Sequence, residues 1–256
     1  MDPAGVNRDA SDRSWLERHL HFLRRRLSPG EDFGLHLTIG VLVVILGCWG
    51  FSEIAEALGP NEELEVFDQH ATQAVQHFAS PGLTTAMRVV SYFGSIVVLT
   101  TFSVVVGLLL ASLRAWERLL GLALTMLGGS WLNVLLKHFF QRERPNWEDP
   151  LVTLHSFSFP SGHTMGSTMF YGFVALLLVY HYRRWSQRVV IVAVTGVVIL
   201  AIGITRIYLG AHYLTDVVAA FVAGAAWLAL CWSTTETLRR RRARRRFTTS
   251  PRPPPA

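Results

Sequence analysis

The chain has 256 residues, half of them apolar and only 16% charged, with a mean hydropathy of +0.31. A soluble domain carries more charge, about a quarter of its residues. The two cysteines, Cys48 and Cys231, both sit inside apolar runs. These figures exclude a disordered chain, a coiled coil and a disulfide-built secreted scaffold. The formal charge is +6, from 24 Lys and Arg against 18 Asp and Glu, and Lys137 is the one lysine. The apolar residues are gathered into long runs, the pattern of an integral membrane protein.

Segment 1–32 comes first. From Ser14 onward, Leu16, Leu20, Leu23 and Leu27 keep one apolar stripe at helical spacing beside Arg24, Arg25 and Arg26, and Ser14 with Glu17 has the spacing of a capping box. An amphipathic helix lying on the membrane surface is expected there. Six runs follow at 33–51, 94–113, 119–136, 163–182, 189–207 and 213–232, each close to the roughly 20 residues a span requires. All are expected as helices, because a backbone in lipid must satisfy its own hydrogen bonds. The first run lies behind an arginine-rich segment with no small-residue cleavage site after it, so a retained span is expected rather than a signal peptide. The fold class is all-α: a six-helix membrane domain over 33–233.

The connection 52–93 carries Phe67, Ala71, Val75 and Phe78 at helical spacing, with Pro81 and Gly82 expected to end that helix and a shorter one over 83–92. A pair of short amphipathic helices is the plain reading, and a lid or lipid entrance is the functional one. Segment 234–256, arginines followed by prolines, is expected as a disordered tail held near anionic lipid by its charge.

Orientation follows from the arginines. They cluster in the N-terminal segment, between spans two and three (Arg114, Arg118), between spans four and five (Arg183, Arg184, Arg188) and after span six, and these four segments alternate correctly to share the cytoplasmic side. The connection 52–93 has Arg88 against Glu53, Glu56, Glu62, Glu63, Glu65 and Asp68. Both termini are therefore expected in the cytoplasm, with the connections 52–93, 137–162 and 208–212 outside.

Ionisable residues at membrane depth are costly and default to function, and here they converge on that outer face. Lys137 ends span three, Arg144 and Pro145 follow, Pro160, Ser161, Gly162 and His163 open span four, Arg206 ends span five, and His212 and Asp216 lead into span six. Lys137, Arg144 and Arg206 are three cations able to neutralise a phosphoryl group. Pro160 suits a first helical turn, while Ser161 and Gly162 are expected to present a hydroxyl and free backbone N–H groups to an anion. His212 and Asp216 are spaced i, i+4, so the carboxylate can hold one ring nitrogen and leave the other to attack. His163 supplies a second imidazole, suited to protonating a leaving oxygen. Taken singly, each has a plain structural reading: a snorkelling base, an interfacial hydrogen bond, a loop. Met165 and Met169, also i, i+4, read as packing residues.

Taken together, Lys137-HFFQRE-Arg144-Pro145, Pro160-Ser161-Gly162-His163 and Thr205-Arg206-IYLGA-His212-YLT-Asp216 resemble the three motifs of the type 2 phosphatidic acid phosphatase superfamily, which also includes vanadium haloperoxidases and glucose-6-phosphatases. Order and spacings match, and Thr205 stands where the family usually has Ser. The resemblance implies a phosphohistidine on His212, oriented by Asp216, with His163 as the acid and with Lys137, Arg144, Ser161, Gly162 and Arg206 on the phosphate oxygens. It also implies that no metal or other cofactor is needed.

The expected function is a lipid phosphate phosphatase of the cell membrane, acting on undecaprenyl diphosphate, phosphatidylglycerophosphate or phosphatidate at the outer face. Phosphotransfer to another lipid or sugar is the alternative within this chemistry. An anion transporter is the alternative outside it, disfavoured because the charges gather at one end of the spans rather than near the midplane. Membrane lipids are the other expected partners, nucleic acid is not one, and the sequence specifies no oligomeric state. Cysteine placed at Asn146 or Trp147 should react with an impermeant reagent added to intact cells, whereas Arg184→Cys should react only after permeabilisation. The reverse pattern would put the site in the cytoplasm.

Overall fold

The computed structural model describes residues 35–58, 62–145 and 156–248. Among them every regular element is helical: α1 (Leu35–Ala57), α2 (Glu62–Gln76), α3 (Pro81–Tyr92), α4 (Ile96–Ser112), α5 (Trp116–Ala123), α6 (Gly129–Phe140), α7 (Gly162–His181), α8 (Trp185–Tyr208) and α9 (Leu214–Thr248). Six helical stretches are long and apolar enough to cross a membrane, with α3 running on into α4 and α5 into α6. The amphipathic helix expected in 1–32 lies outside the described residues.

Two boundaries differ from the sequence expectation. Pro81 starts α3 instead of only ending the helix before it, because proline fits the first turn, where its missing N–H costs nothing. The sixth span continues helically to Thr248, so the arginine run expected to be disordered begins as helix. Arginine is a good helix former, and Glu236 pairs with Arg239 at 2.7 Å and with Arg240 at 2.9 Å along the helix.

Between α5 and α6 the chain makes one π turn over Leu124–Gly128. The indole Nε1 of Trp227 donates to the Leu124 carbonyl at 3.3 Å, so a backbone acceptor at the irregular turn finds a partner on α9. Such turns interrupt the regular ladder without stopping the helix, which is why hydropathy alone does not reveal them.

Helix α9 is the centre of the bundle, packing along α1 and α7, and α7 in turn packs on α8. Phe173 of α7 meets Leu110, Leu122 and Leu228 in one core, and Met165 and Met169 pack with Ala220 in a second, so the two methionines are packing residues as expected. Small residues let these helices approach closely. A Cβ on Gly129 would lie 2.0 Å from the Met169 sulfur and 3.0 Å from Trp227 Cδ1. Met169 is itself buried, so it has little space to yield. Gly129→Val should therefore lower thermal stability in detergent by overpacking, a cost of about 1–3 kcal/mol, read as a fall in Tm against wild type. An unchanged Tm would show that Met169 can move aside.

Candidate active site

The site forms where α6, α7, α8 and α9 end or begin at one end of the bundle. Gln141 adopts a left-handed conformation (φ 47°) and closes α6, which turns Arg142, Glu143 and Arg144 back over the helix ends. On the other side α8 ends at Tyr208 with Leu209 as its cap, and Gly210 takes φ 68°, a region that favours glycine. The amides of Ala211 and His212 then fold back to the Arg206 carbonyl at 3.0 and 3.2 Å. This turn delivers His212 just ahead of α9, not on the helix itself, yet still one turn from Asp216.

Asp216 is fully buried, and both of its oxygens are occupied. Oδ2 accepts from the Tyr213 N–H at 2.9 Å, accepts from the Ser158 hydroxyl, and faces His212 Nδ1 at 3.4 Å. Oδ1 accepts from Arg142 Nη1 at 2.6 Å. On the far side of the imidazole, Arg144 Nη1 lies 3.3 Å from His212 Nε2. A guanidinium can only donate, so Nε2 is the accepting nitrogen and the ring proton belongs on Nδ1, toward Asp216. That is the tautomer a nucleophilic imidazole needs.

An open cavity of about 480 Å³ is lined by Lys137, Arg142, Arg144 and Phe157, and Arg206 lies outside that lining. Lys137 donates to the carbonyls of Phe157 and Ser158. Arg144 donates to the Ser156 carbonyl and the Ala211 carbonyl, each at 2.5 Å. Arg206 is buried, donates from Nη1 to Ser91 Oγ at 2.7 Å, and leaves its buried Nε without a partner among the described residues. A buried donor left unmatched is costly, and an anion would satisfy it.

Two expected contributions differ in detail. Ser161 is completely buried. Its N–H donates to the Asp216 carbonyl at 3.1 Å and its hydroxyl accepts from Thr164 at 3.1 Å. It therefore fastens the start of α7 to the start of α9, and the next amides of α7, beginning at Gly162, are the ones left for an anion. Thr205, in the place of the usual serine, turns its hydroxyl to the Ile202 carbonyl at 2.6 Å, a bond within its own helix. His163 stands half-buried on the first turn of α7 and packs beside Gly94, whose missing Cβ would lie 3.4 Å from that of His163.

A sequence model of the PAP2 superfamily matches residues 118–240, the stretch that carries all three motifs. Phosphatidylglycerophosphatase B of Bacillus subtilis (strain 168) is 32% identical over 178 residues, which is 68% of this chain and 85% of that protein. The chain belongs to the PAP2 superfamily. The crystal structure of the first transmembrane PAP2-type phosphatidylglycerolphosphate phosphatase, also from Bacillus subtilis, superposes with a TM-score of 0.69 at 30% identity, covering 75% of this chain and 94% of that one. LpxE of Aquifex aeolicus gives a TM-score of 0.52 at 25% identity, over 64% of this chain and 93% of that one.

Sequence reasoning missed four residues around this PAP2 site. Ser158 and Arg142 contact Asp216 directly, Ser91 holds Arg206, and Asp68 of α2 bonds Arg142 at 2.8 Å. Arg142 lies inside the first motif and was legible there as a fourth cation. Asp68 had a subtler signal: it shares a helix face with Thr72, and both are fully buried, whereas Phe67 and Phe78 of the expected apolar stripe are exposed. Burial pushes the His212 pKa down to about 4, against the opposing pull of Asp216 and with help from Arg144 and Arg206. The ring is therefore neutral at pH 7, so its Nε2 carries a lone pair and not a proton. In histidine-labelled protein, the NMR signal lost in His212→Ala should titrate well below the ordinary 6.5. A midpoint at or above 6.5 would mean that Asp216 outweighs burial.

Proposed function

We propose that this membrane phosphatase hydrolyses a lipid phosphomonoester or diphosphate without a metal ion, through a phosphohistidine formed on His212. The observation that carries the reading is the imidazole itself: Nδ1 faces Asp216 and Nε2 faces Arg144 beside a cation-lined cavity. Nε2 attacks phosphorus and the bond to the lipid oxygen breaks. His163 gives that oxygen its proton. In the second half a water gives a proton to His163 and attacks phosphorus, the N–P bond breaks, and inorganic phosphate leaves. Lys137, Arg144 and Arg206, with the α7 amides from Gly162 onward, balance the charge that develops on the phosphoryl oxygens, and Ser161 holds that helix end in place.

Phosphatidylglycerophosphate is the favoured substrate, because the similar Bacillus subtilis phosphatase, met both as a sequence and as a solved structure, is named for it. Undecaprenyl diphosphate and phosphatidate offer the same headgroup chemistry. Transfer to a second lipid or sugar requires only that another hydroxyl replace the attacking water. The gathering of the cations at one end of the bundle favours an enzyme over a transporter.

The site faces the extracytoplasmic side in this reading, and both termini lie in the cytoplasm. Arg118 and Arg239 stack on Tyr180, with ring distances of 4.6 and 5.1 Å, at the end of α7 opposite Ser161. Arg118 and Arg239, from two of the arginine-bearing segments, thus lie away from the active site, where anionic lipid of the inner leaflet can meet them.

Purified protein with EDTA present should release phosphate from phosphatidylglycerophosphate, and vanadate should inhibit competitively. His212→Ala should abolish release, while Asp216→Asn should keep a residue of it. Lys137→Arg should lose about tenfold or more, since a planar fork replaces a compact ammonium and one contact of ~1.4 kcal/mol is displaced. Wild-type release by His212→Ala would overturn the mechanism. Labelled phosphate recovered on an added lipid instead of in water would favour transfer.

A further inference from the structure

Behind Asp216, on the side away from His212, lies a charged cluster that the proposed chemistry does not use. Arg142 bridges two carboxylates: Nη1 donates to Asp216 Oδ1 at 2.6 Å and Nη2 to Asp68 Oδ2 at 2.8 Å. Both aspartates have no exposure, and the Arg142 side chain is 15% exposed. Nη1 also donates to Thr215 Oγ1 at 2.8 Å, and the guanidinium lies 4.3 Å over the Tyr213 ring. Although Arg142 lines the cavity, its fork is committed to partners on α2 and α9. Asp68 is anchored independently, accepting the Thr215 N–H at 3.1 Å and the Thr215 hydroxyl.

We propose that Asp68 and Arg142 are positioning residues, a buried clamp that fixes the rotation of the Asp216 carboxylate and so the aim of His212. The proposal rests on the reading of His212 as nucleophile. An aspartate's terminal torsion is broad and roughly two-fold, so a carboxylate held on one oxygen can swing. With Arg142 on Oδ1, only Oδ2 is left to meet His212 Nδ1, Ser158 and the Tyr213 amide. Asp68 then does for Arg142 what Arg142 does for Asp216. Its second pair of contacts, to Thr215, ties the same clamp to the first turn of α9, whose four leading N–H groups lack helical partners. The outer-surface helix α2 is thereby a structural part of the active site and not only a cover beside it.

Electrostatics agree with the geometry. Burial opposes the Arg142 charge, but Asp216 and Asp68 more than offset it and hold its pKa above the usual guanidinium value. Removing Arg142 alone would leave two buried carboxylates uncompensated, which is strongly destabilising, whereas removing the charge of Asp68 as well relieves one of them. Stability and catalysis should therefore separate in a pair of variants.

The test measures phosphatidylglycerophosphate hydrolysis by the full chain in detergent, together with Tm. Arg142→Gln should lower kcat about tenfold to a hundredfold, as misplacement of a reacting group does, with KM within about twofold of wild type, and should lower Tm. The double variant Asp68→Asn/Arg142→Gln should regain much of the Tm and none of the kcat. Asp68→Asn alone should lower kcat less, again with KM nearly constant. Recovery of kcat along with Tm would show that the pair serves stability only. A large rise in KM at constant kcat would place Arg142 on the substrate phosphate. Either result, or wild-type kcat in Arg142→Gln, overturns the clamp. If His212→Ala keeps its turnover, the proposed mechanism fails first; if His212→Ala is inactive while Arg142→Gln is not, only the clamp fails.

Discussion

A carboxylate with no exposure, at the mouth of a helix long and apolar enough to cross a membrane, must be completely compensated, and the arrangement around Asp216 follows from that requirement. Burying an unpaired charge costs several kcal/mol even after the protein relaxes. Asp216 therefore collects Arg142 on one oxygen and the Tyr213 amide, Ser158 and His212 on the other. The four partners come from three stretches of chain: Arg142 from the segment after α6, Ser158 from the loop before α7, and His212 and Tyr213 from the turn before α9. Satisfying one carboxylate thus brings both ends of the α6–α7 connection into register with the α8–α9 turn.

The helices beneath make this possible by approaching closely. Gly129 meets Met169 and Trp227, and Gly94 fits against Ile202 and Ser167 beside His163. Without a hydrophobic drive between helices in lipid, association depends on such contact and on polar bonds. Close packing at depth holds the helix ends at fixed separations, so the short turn between α8 and α9 meets the long connection between α6 and α7 at a defined place. The π turn at Leu124–Gly128 and the indole of Trp227 that caps it belong to the same economy of backbone bonds.

The six spans were legible because lipid imposes a length and a composition, and the sequence shows both. The three motifs were legible because topology alone put Lys137, Arg144, Ser161, His163, Arg206, His212 and Asp216 at one end. What the sequence concealed depended on side-chain direction. Ser161 reads as an anion donor from its place before a helix, yet its N–H belongs to the Asp216 carbonyl. Asp68 reads as one acid among many in the connection 52–93, because the face it shares with Thr72 is a weaker signal than the apolar stripe through Phe67, which the structure turns outward. The helical start of the arginine run was hidden by composition, which resembles a solvated tail until Glu236 is seen pairing with Arg239 and Arg240.

Charge bookkeeping across the site explains why these residues come in two groups. Lys137, Arg142, Arg144 and Arg206 are four cations, and Asp68, Asp216 and the cavity-lining Glu143 are three anions; with His212 neutral, four minus three leaves a surplus of one positive charge. The anions do not dilute that surplus evenly, because Arg142 faces both aspartates and neutralises the rear of the site. Lys137 and Arg144 face backbone carbonyls, and Arg206 a serine hydroxyl, partners that carry no charge. A phosphate monoester carries about −1.5 to −2 at neutral pH, a charge opposite in sign to the one left uncancelled here. The rear ion pairs thus compensate Asp216 beside His212 while Lys137, Arg144 and Arg206 keep uncharged partners, and a buried Asp216 without Arg142 would have had to draw on one of those three.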